Sequence, residues 1–127
     1  MKKVLLIVVG LLMTVFSYSQ SFSRIIKATK SQYTEGKWVE IESQEPKDAF
    51  LIMKDWDITI GTTKYRTYDE SEKTTYEEHE AYTWKCVDAD GTKCYFIIKR
   101  FKPSVTLHMM YVIVYEEAGV MYEYVTE

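Results

Sequence analysis

The fold is decided by the segment WKCVDADGTKCYF, residues 84–96, which holds both cysteines of the chain on either side of an Asp-Gly turn. The spacing predicts a β-hairpin with a three-residue loop, Ala89–Gly91, in which the glycine takes the left-handed conformation. In that register Cys86 faces Cys94 across the two strands.

The predicted register divides the side chains of the hairpin into an apolar face and a mainly polar face. The apolar face holds Tyr82, Trp84, Cys86, Cys94, Phe96 and Ile98. The other face holds Thr83, Lys85, Lys93 and Lys99, with Tyr95 and Ile97 as exceptions. A shift of one residue would mix the two sets, so the side-chain pattern supports this pairing.

Three roles are open for the cysteine pair: a disulfide, a metal site or a redox pair. Two facing cysteines in an exported protein favour a disulfide between Cys86 and Cys94. They supply only half of a tetrahedral zinc site, and neither His79 nor His108 is spaced to complete it. The tight Cys-x-x-Cys spacing of a redox motif is absent. We therefore expect a disulfide, no metal and no other cofactor.

The first 19 residues have the pattern of a secretory signal peptide. Two lysines precede an apolar run of about a dozen residues, shorter than the ~20 that a membrane-spanning helix needs. Ser17 and Ser19 supply small residues before a cleavage site at Gln20. No cysteine directly follows the run at the cleavage site, so a lipoprotein anchor has no attachment site. We expect a signal peptide at 1–19 and a single domain at 20–127, secreted or periplasmic, without a stable membrane anchor.

Charge and composition exclude two classes of protein. Cleavage would remove two lysines and change the net charge from −3 to about −5. The sequence has no cluster of lysine and arginine that could form a basic face, so we expect no nucleic-acid partner. Aromatic residues make up 15% of the chain, which is far more than a disordered segment carries. About 108 residues suffice for one hydrophobic core.

Alternating apolar and polar residues predict an all-β antiparallel meander of about eight strands. The predicted strands are Trp38–Glu42, Ala49–Lys54, Asp57–Ile60, Lys64–Tyr68, Glu80–Val87, Lys93–Arg100, Val105–Tyr115 and Val120–Val125, with a possible ninth at Arg24–Thr29. The glutamate-rich segment before Trp84 is assigned to a strand rather than a helix because its neighbours are β-branched and aromatic.

The tripeptide Gly36-Lys37-Trp38 resembles the Gly-x-Trp motif that opens the first barrel strand of lipocalin-like proteins, the calycin superfamily. About eight antiparallel strands can close a barrel around one small ligand. The resemblance implies a small or flattened lipocalin-like barrel in which Trp38 plugs the closed end. It also implies that inward side chains line a pocket for an apolar ligand. The expected ligand-binding residues are Trp38, Tyr82, Trp84, Phe96, Leu107, Tyr111 and Tyr124.

Two functions remain open. The first is a binding module for a small apolar or aromatic molecule, and the second is a non-catalytic interaction domain with a filled core and a protein partner. A cavity of about 300 Å³ or more would favour the first, and a filled core with an apolar outer patch would favour the second. The sequence has no nucleophile elbow, phosphate-binding loop or zinc-protease motif, so we expect no enzyme.

Overall fold

The computed structural model describes residues 20–69, 71–102 and 109–126, and within these ranges it consists of ten antiparallel strands in one sheet. The strands are β1 (Gln20–Thr34), β2 (Lys37–Gln44), β3 (Phe50–Lys54), β4 (Asp57–Ile60), β5 (Thr63–Thr67), β6 (Glu72–Thr75), β7 (His79–Asp88), β8 (Lys93–Phe101), β9 (Met109–Tyr115) and β10 (Val120–Thr126). No helix in these ranges is long and apolar enough to cross a membrane. The predicted signal peptide lies outside them.

Eight of the strands close into a barrel. The order around the barrel is β1, β10, β9, β8, β7, β5, β4 and β3, and β3 pairs with β1 to complete the circle. The strand β1 can serve both ends of this order because it is 15 residues long. Its first five residues pair with β3, and the residues from Ile25 to Gln32 pair with β10. The predicted all-β fold and its closure into a barrel are confirmed.

A β-bulge in β1 allows this double pairing. Lys27 pairs with Val125 and Ile25 pairs with Thr126, so Ile26 is an extra residue on β1. An extra residue exchanges the faces to which the following side chains point. Ile25 is 2% exposed and belongs to the core, whereas Ile26 is 38% exposed.

Two strands lie beside the barrel. The strand β2 pairs with β1 beyond the point where β3 ends, and β6 pairs with β7 beyond the point where β5 ends. Each has one neighbouring strand among the described residues. All residues of both strands are exposed, because neither strand has barrel strands on both sides.

Most predicted strands are confirmed with bounds that differ by one or two residues. The strand β4 has the predicted bounds, and the ninth strand exists and is longer than Arg24–Thr29. The first residues of the predicted Val105–Tyr115 strand lie outside the described ranges. The sequence missed β6, because its residues EKTT show no apolar alternation.

The predicted register of the β7–β8 hairpin is confirmed, with Cys86 opposite Cys94 and Trp84 opposite Phe96. Gly91 has φ of 83°, and the backbone N–H of Asp88 donates to the carbonyl oxygen of Thr92 at 3.0 Å. The Asp88 carboxylate also accepts hydrogen bonds from the backbone N–H groups of Asp90 and Thr92, at 3.0 and 2.9 Å. These bonds fix the three-residue loop.

The predicted disulfide is wrong for this structure. The sulfur atoms of Cys86 and Cys94 lie 2.9 Å apart and both residues are free thiols, whereas a disulfide bond measures about 2.05 Å. The register brings the two thiols together, but the bond also requires the removal of two electrons, which the register does not determine. The hydrogen bond between the sulfurs raises the pKa of Cys86, with burial adding to it, and lowers the pKa of Cys94.

The predicted position of Trp38 at the closed end of the barrel is wrong. Its side chain is 39% exposed on β2 and packs edge to face on Tyr33, with ring centroids 5.2 Å apart. The Gly-x-Trp motif opens β2, and β2 is not one of the eight wall strands. An indole at this position therefore cannot be covered by the barrel interior.

The two ends of the barrel differ. We call the end with the turns at residues 35–36, 61–62, 89–92 and 116–119 the upper end, and the end with the turn at 55–56 the lower end. The upper interior is filled by buried side chains that belong to one cluster. These include Leu51, Ile60, Tyr65, Cys86, Cys94 and Ile113. The lower interior contains an opening toward solvent, which is the candidate site.

Candidate binding cavity at the lower end of the barrel

A cavity of about 430 Å³ opens at the lower end of the barrel. Five wall strands and the β3–β4 turn contribute to it. Its lining residues are Met53, Asp55, Trp56, Ile58, Thr67, Trp84 and Phe96. Pockets of about 300–1,000 Å³ with mainly apolar walls are typical sites for small molecules.

The inner wall of the cavity is aromatic because the β7–β8 register places Trp84 opposite Phe96 on the inward face. Their ring centroids are 5.7 Å apart. Phe96 also stacks on Tyr111 of β9, with centroids 6.1 Å apart and an angle of 15° between the planes. Phe96 is 1% exposed and Trp84 is half-buried, so the two rings form a fixed surface.

The mouth of the cavity is formed by the two-residue turn between β3 and β4. Asp55 has φ of 56°, the left-handed conformation that short hairpin turns need and that aspartate tolerates. The backbone N–H and the side-chain hydroxyl of Thr67 both donate to the carbonyl oxygen of Trp56, at 2.8 and 3.1 Å. These bonds hold the turn against the end of β5. The Trp56 side chain is 54% exposed at the mouth.

Among the described residues that line the cavity, Asp55 alone carries a charge. Across residues 20–69, 71–102 and 109–126, no basic side chain lies within ion-pair distance of its carboxylate. Arg66, on the strand that pairs with β4, is engaged by Asp57 with two hydrogen bonds of 2.9 and 3.4 Å. That hydrogen bonding and the Asp57 charge raise the pKa of Arg66. Asp55 therefore places an unpaired negative charge at the mouth of the cavity.

The lower rim beside β6 carries a second group of polar residues around Tyr82. The Tyr82 hydroxyl donates to the Glu80 carboxylate at 3.3 Å and accepts from the Arg100 guanidinium at 3.5 Å. Lys73 forms an ion pair with Glu80 at 3.2 Å, and this hydrogen-bonded pair lowers the pKa of Glu80. The Tyr82 side chain is thus held in a polar network on the rim and is not part of the cavity lining.

The interior of the barrel also contains three tyrosines, of which Tyr65 is buried and Tyr115 and Tyr124 are partly buried. The hydroxyl of Tyr115 donates a hydrogen bond to the Asp88 carboxylate at 2.9 Å. Burial is the main reason that the pKa values of Tyr65, Tyr115 and Tyr124 are raised. These hydroxyl groups therefore stay protonated to a higher pH than a free phenol does.

The structure brings only part of the predicted ligand-binding set to the cavity. Trp84 and Phe96 line it, Tyr111 stacks on Phe96, and Tyr124 is partly buried and packs against the core. Trp38 lies outside the barrel on β2, and Leu107 lies outside the described residues.

Sequence reasoning missed the residues that come from the short strands. These are Met53, Asp55, Trp56, Ile58 and Thr67. One signal for them was present: Trp56 falls in the two-residue gap between two predicted strands, where tight turns normally carry Gly, Asn or Asp. A tryptophan at such a position has no role in the turn and indicates a contact outside it.

Within the described parts of the chain, no group of three or more His, Cys, Asp or Glu side chains is gathered in a way that could hold a metal ion. The chain matches no known protein family, and neither a curated protein nor a solved structure is detectably similar to it.

Proposed function

We propose that the protein is a binding module whose ligand, a small and largely apolar or aromatic molecule, occupies the cavity at the lower end of the barrel. The observation that carries the proposal is the cavity of about 430 Å³, which is larger than a filled core leaves and is walled by Trp56, Trp84 and Phe96. A relationship to lipocalin-like proteins belongs to the proposal and is supported by the closed eight-stranded barrel.

The proposed function is binding without catalysis. The described lining of the cavity contains one carboxylate, Asp55, and one hydroxyl, Thr67. The Thr67 hydroxyl already donates to the Trp56 carbonyl, so it is not activated by a neighbouring base. This arrangement supports a site that holds a molecule without transforming it.

We also propose that the protein acts outside the cytoplasm, in the periplasm or after secretion. The support is the sequence of residues 1–19, with its two lysines, apolar run and small residues before Gln20. Intact mass measurement of the protein recovered from the periplasm or culture medium should give a chain that begins at Gln20. Recovery of the full-length chain from the cytoplasm alone would contradict this localisation.

The binding function can be tested with N-phenyl-1-naphthylamine, an uncharged dye whose fluorescence increases in apolar sites. We expect saturable binding that Trp84→Ala weakens at least fivefold, because one of the three aromatic side chains that line the cavity is removed. Trp38→Ala is the matched control, since it removes a tryptophan outside the cavity, and it should change the affinity less than twofold. Absence of saturable binding, or equal losses in both variants, would contradict the proposal.

A second function, interaction with a protein partner, is favoured by one observation. The strand β2 has one neighbouring strand among the described residues and exposes Trp38, Val39 and Ile41, so a partner could add an extended segment to its edge. A partner captured by the wild-type protein should be lost with Trp38→Ser plus Ile41→Ser and retained with Trp56→Ser. The opposite pattern would place partner binding at the cavity mouth and remove this alternative.

A further inference from the structure

We propose that the cavity selects ligands that carry an organic cation, such as a quaternary ammonium or a protonated amine attached to an apolar body. This inference rests on the proposed function, since it specifies which molecules the same cavity would bind. It is carried by two features of the cavity lining: three aromatic rings and one carboxylate.

The aromatic rings form the first feature. Trp56 stands on the β3–β4 turn at the mouth, whereas Trp84 and Phe96 belong to the β7–β8 hairpin on the inner wall. The faces of aromatic rings carry partial negative charge and attract cations, and tryptophan does so most strongly. Rings that surround a cavity from separate elements are the arrangement by which proteins recognise quaternary ammonium groups.

The carboxylate of Asp55 is the second feature. It lies at the mouth beside Trp56, and no basic side chain of the described residues forms an ion pair with it. The guanidinium of Arg66 is held by Asp57 through two hydrogen bonds. A cation at the mouth would therefore meet an unpaired carboxylate, and an anion would be repelled.

The geometry of the turn fixes these two features relative to each other. Asp55 and Trp56 are consecutive residues of a two-residue turn, and Thr67 holds the Trp56 carbonyl with two hydrogen bonds. The backbone that carries the carboxylate and the indole is thus held in place before a ligand binds, which reduces the ordering that binding requires. The remaining volume, lined by Met53 and Ile58, accommodates an apolar body.

The test compares three probes of similar shape by isothermal titration calorimetry. They are benzyltrimethylammonium, its uncharged isostere neopentylbenzene, and the anion 3-phenylpropionate. We expect the cation to bind about tenfold more tightly than the isostere, because it gains the ring and carboxylate interactions, and the anion to bind most weakly. The preference for the cation should decrease as the salt concentration rises.

Two pairs of variants test whether Asp55 and Trp56 cause the preference for the cation. Asp55→Asn keeps a residue that tolerates positive φ, and it should weaken the cation about fivefold while leaving the isostere unchanged. Asp48→Asn is its control, because it removes the same charge from the exposed β2–β3 connection, outside the cavity. Trp56→Leu should likewise weaken the cation about fivefold, and Trp38→Leu should not. Thermal unfolding of each variant verifies that it is folded.

The results show whether only this inference fails or whether the proposed binding function fails as well. Equal affinities for the cation and the isostere, or no effect of Asp55→Asn on the cation, would overturn the inference and leave the binding function intact. If none of the three probes nor N-phenyl-1-naphthylamine binds, the binding function fails and the inference fails with it.

Discussion

The upper and lower ends of the barrel share the long wall strands, but the interior is filled at one end and open at the other. The upper interior is filled by aliphatic side chains, two thiols and several phenols, whereas the lower interior leaves a cavity of about 430 Å³. The difference does not come from a lack of large side chains, because Trp56, Trp84 and Phe96 are all at the lower end.

Strand length accounts for the difference. The strands β3, β4 and β5 have four or five residues, while β7 and β8 have ten and nine. Pairing between β5 and β7 ends at Thr67 and Cys86, so β7 continues below the short strands with β6 beside it. The wall is therefore incomplete at the lower end, and large side chains border an opening instead of packing against an opposite wall.

The largest expected effect concerns two residues of β3 that are two positions apart. One lies in the filled upper interior, and the other borders the cavity at the lower end. Leu51 is fully buried, and Leu51→Ala should lower the free energy of unfolding by about 2–5 kcal/mol, because it leaves a cavity in a filled core. Met53 borders the existing cavity, and Met53→Ala should cost about 1 kcal/mol, since fewer packing contacts are lost. Urea unfolding would measure both, and equal losses would contradict the contrast between the two ends.

The next effect tests the hairpin loop that closes the upper end. Gly91 has φ of 83°, and no atom lies within 4 Å of the position that a side-chain carbon would take there, so substitution strains only the backbone. Gly91→Val should lower the free energy of unfolding by about 1–2 kcal/mol, because a β-branched residue is forced into the left-handed region. Gly91→Asn is the control and should cost less, as asparagine tolerates this conformation. Equal stability of both variants and the wild type would show that the loop does not hold the upper end.

A smaller effect is expected from the charge of Asp88 at the upper end. Burial opposes its ionisation, but hydrogen bonds from the Thr92 backbone, the Tyr115 hydroxyl and the Asp90 backbone outweigh this and lower the pKa of Asp88. A lower pKa in the folded state stabilises the protein above the unfolded value of about 3.9. That contribution is lost as the pH falls through the folded pKa.

Thermal unfolding from pH 7 to pH 2 would measure this effect in the wild type and in Asp88→Asn. The wild type should be more stable at neutral pH, and the difference should shrink in acid. A difference that is constant over this range would mean that the Asp88 charge does not stabilise the upper end.

The smallest effect is expected outside both ends, at Trp38. Its side chain is 39% exposed and its ring contact is with Tyr33, so Trp38→Ala should cost about 1 kcal/mol or less. A tryptophan that plugs the barrel would cost about 3–5 kcal/mol. A loss of that size, measured by urea unfolding, would show that β2 packs against the barrel and that the wall is larger than eight strands.

The parts of the fold that were predictable are those specified by local pattern. The hairpin register followed from alternation on both sides of an Asp-Gly turn, because a shift of one residue would place Trp84 and Phe96 on the wrong face. The strand β6 was not predictable, since its residues are polar and it exists because β7 offers an unpaired edge. The Gly-x-Trp motif gave a wrong position for Trp38 because three residues do not determine which strands close a barrel.

Only the side of the candidate site that the β7–β8 hairpin forms was predictable from the sequence. Trp84 and Phe96 could be assigned to the interior because they share one hairpin and its face. Asp55, Trp56 and Thr67 could not, because they meet through the pairing of β5 with β4 and through the hydrogen bonds of Thr67 to Trp56. Such contacts join segments that have no common local pattern.

The sequence by itself determined the all-β class, the strand alternation and the face-to-face position of Cys86 and Cys94, since each depends on residues that are neighbours along the chain or across one tight turn. Only the tertiary structure decided that β1 closes the barrel through a bulge, that β2 lies beside it and that a cavity remains at the lower end. These features depend on strand lengths and on pairings between distant segments, and the free energy of such pairings is set by the whole sheet.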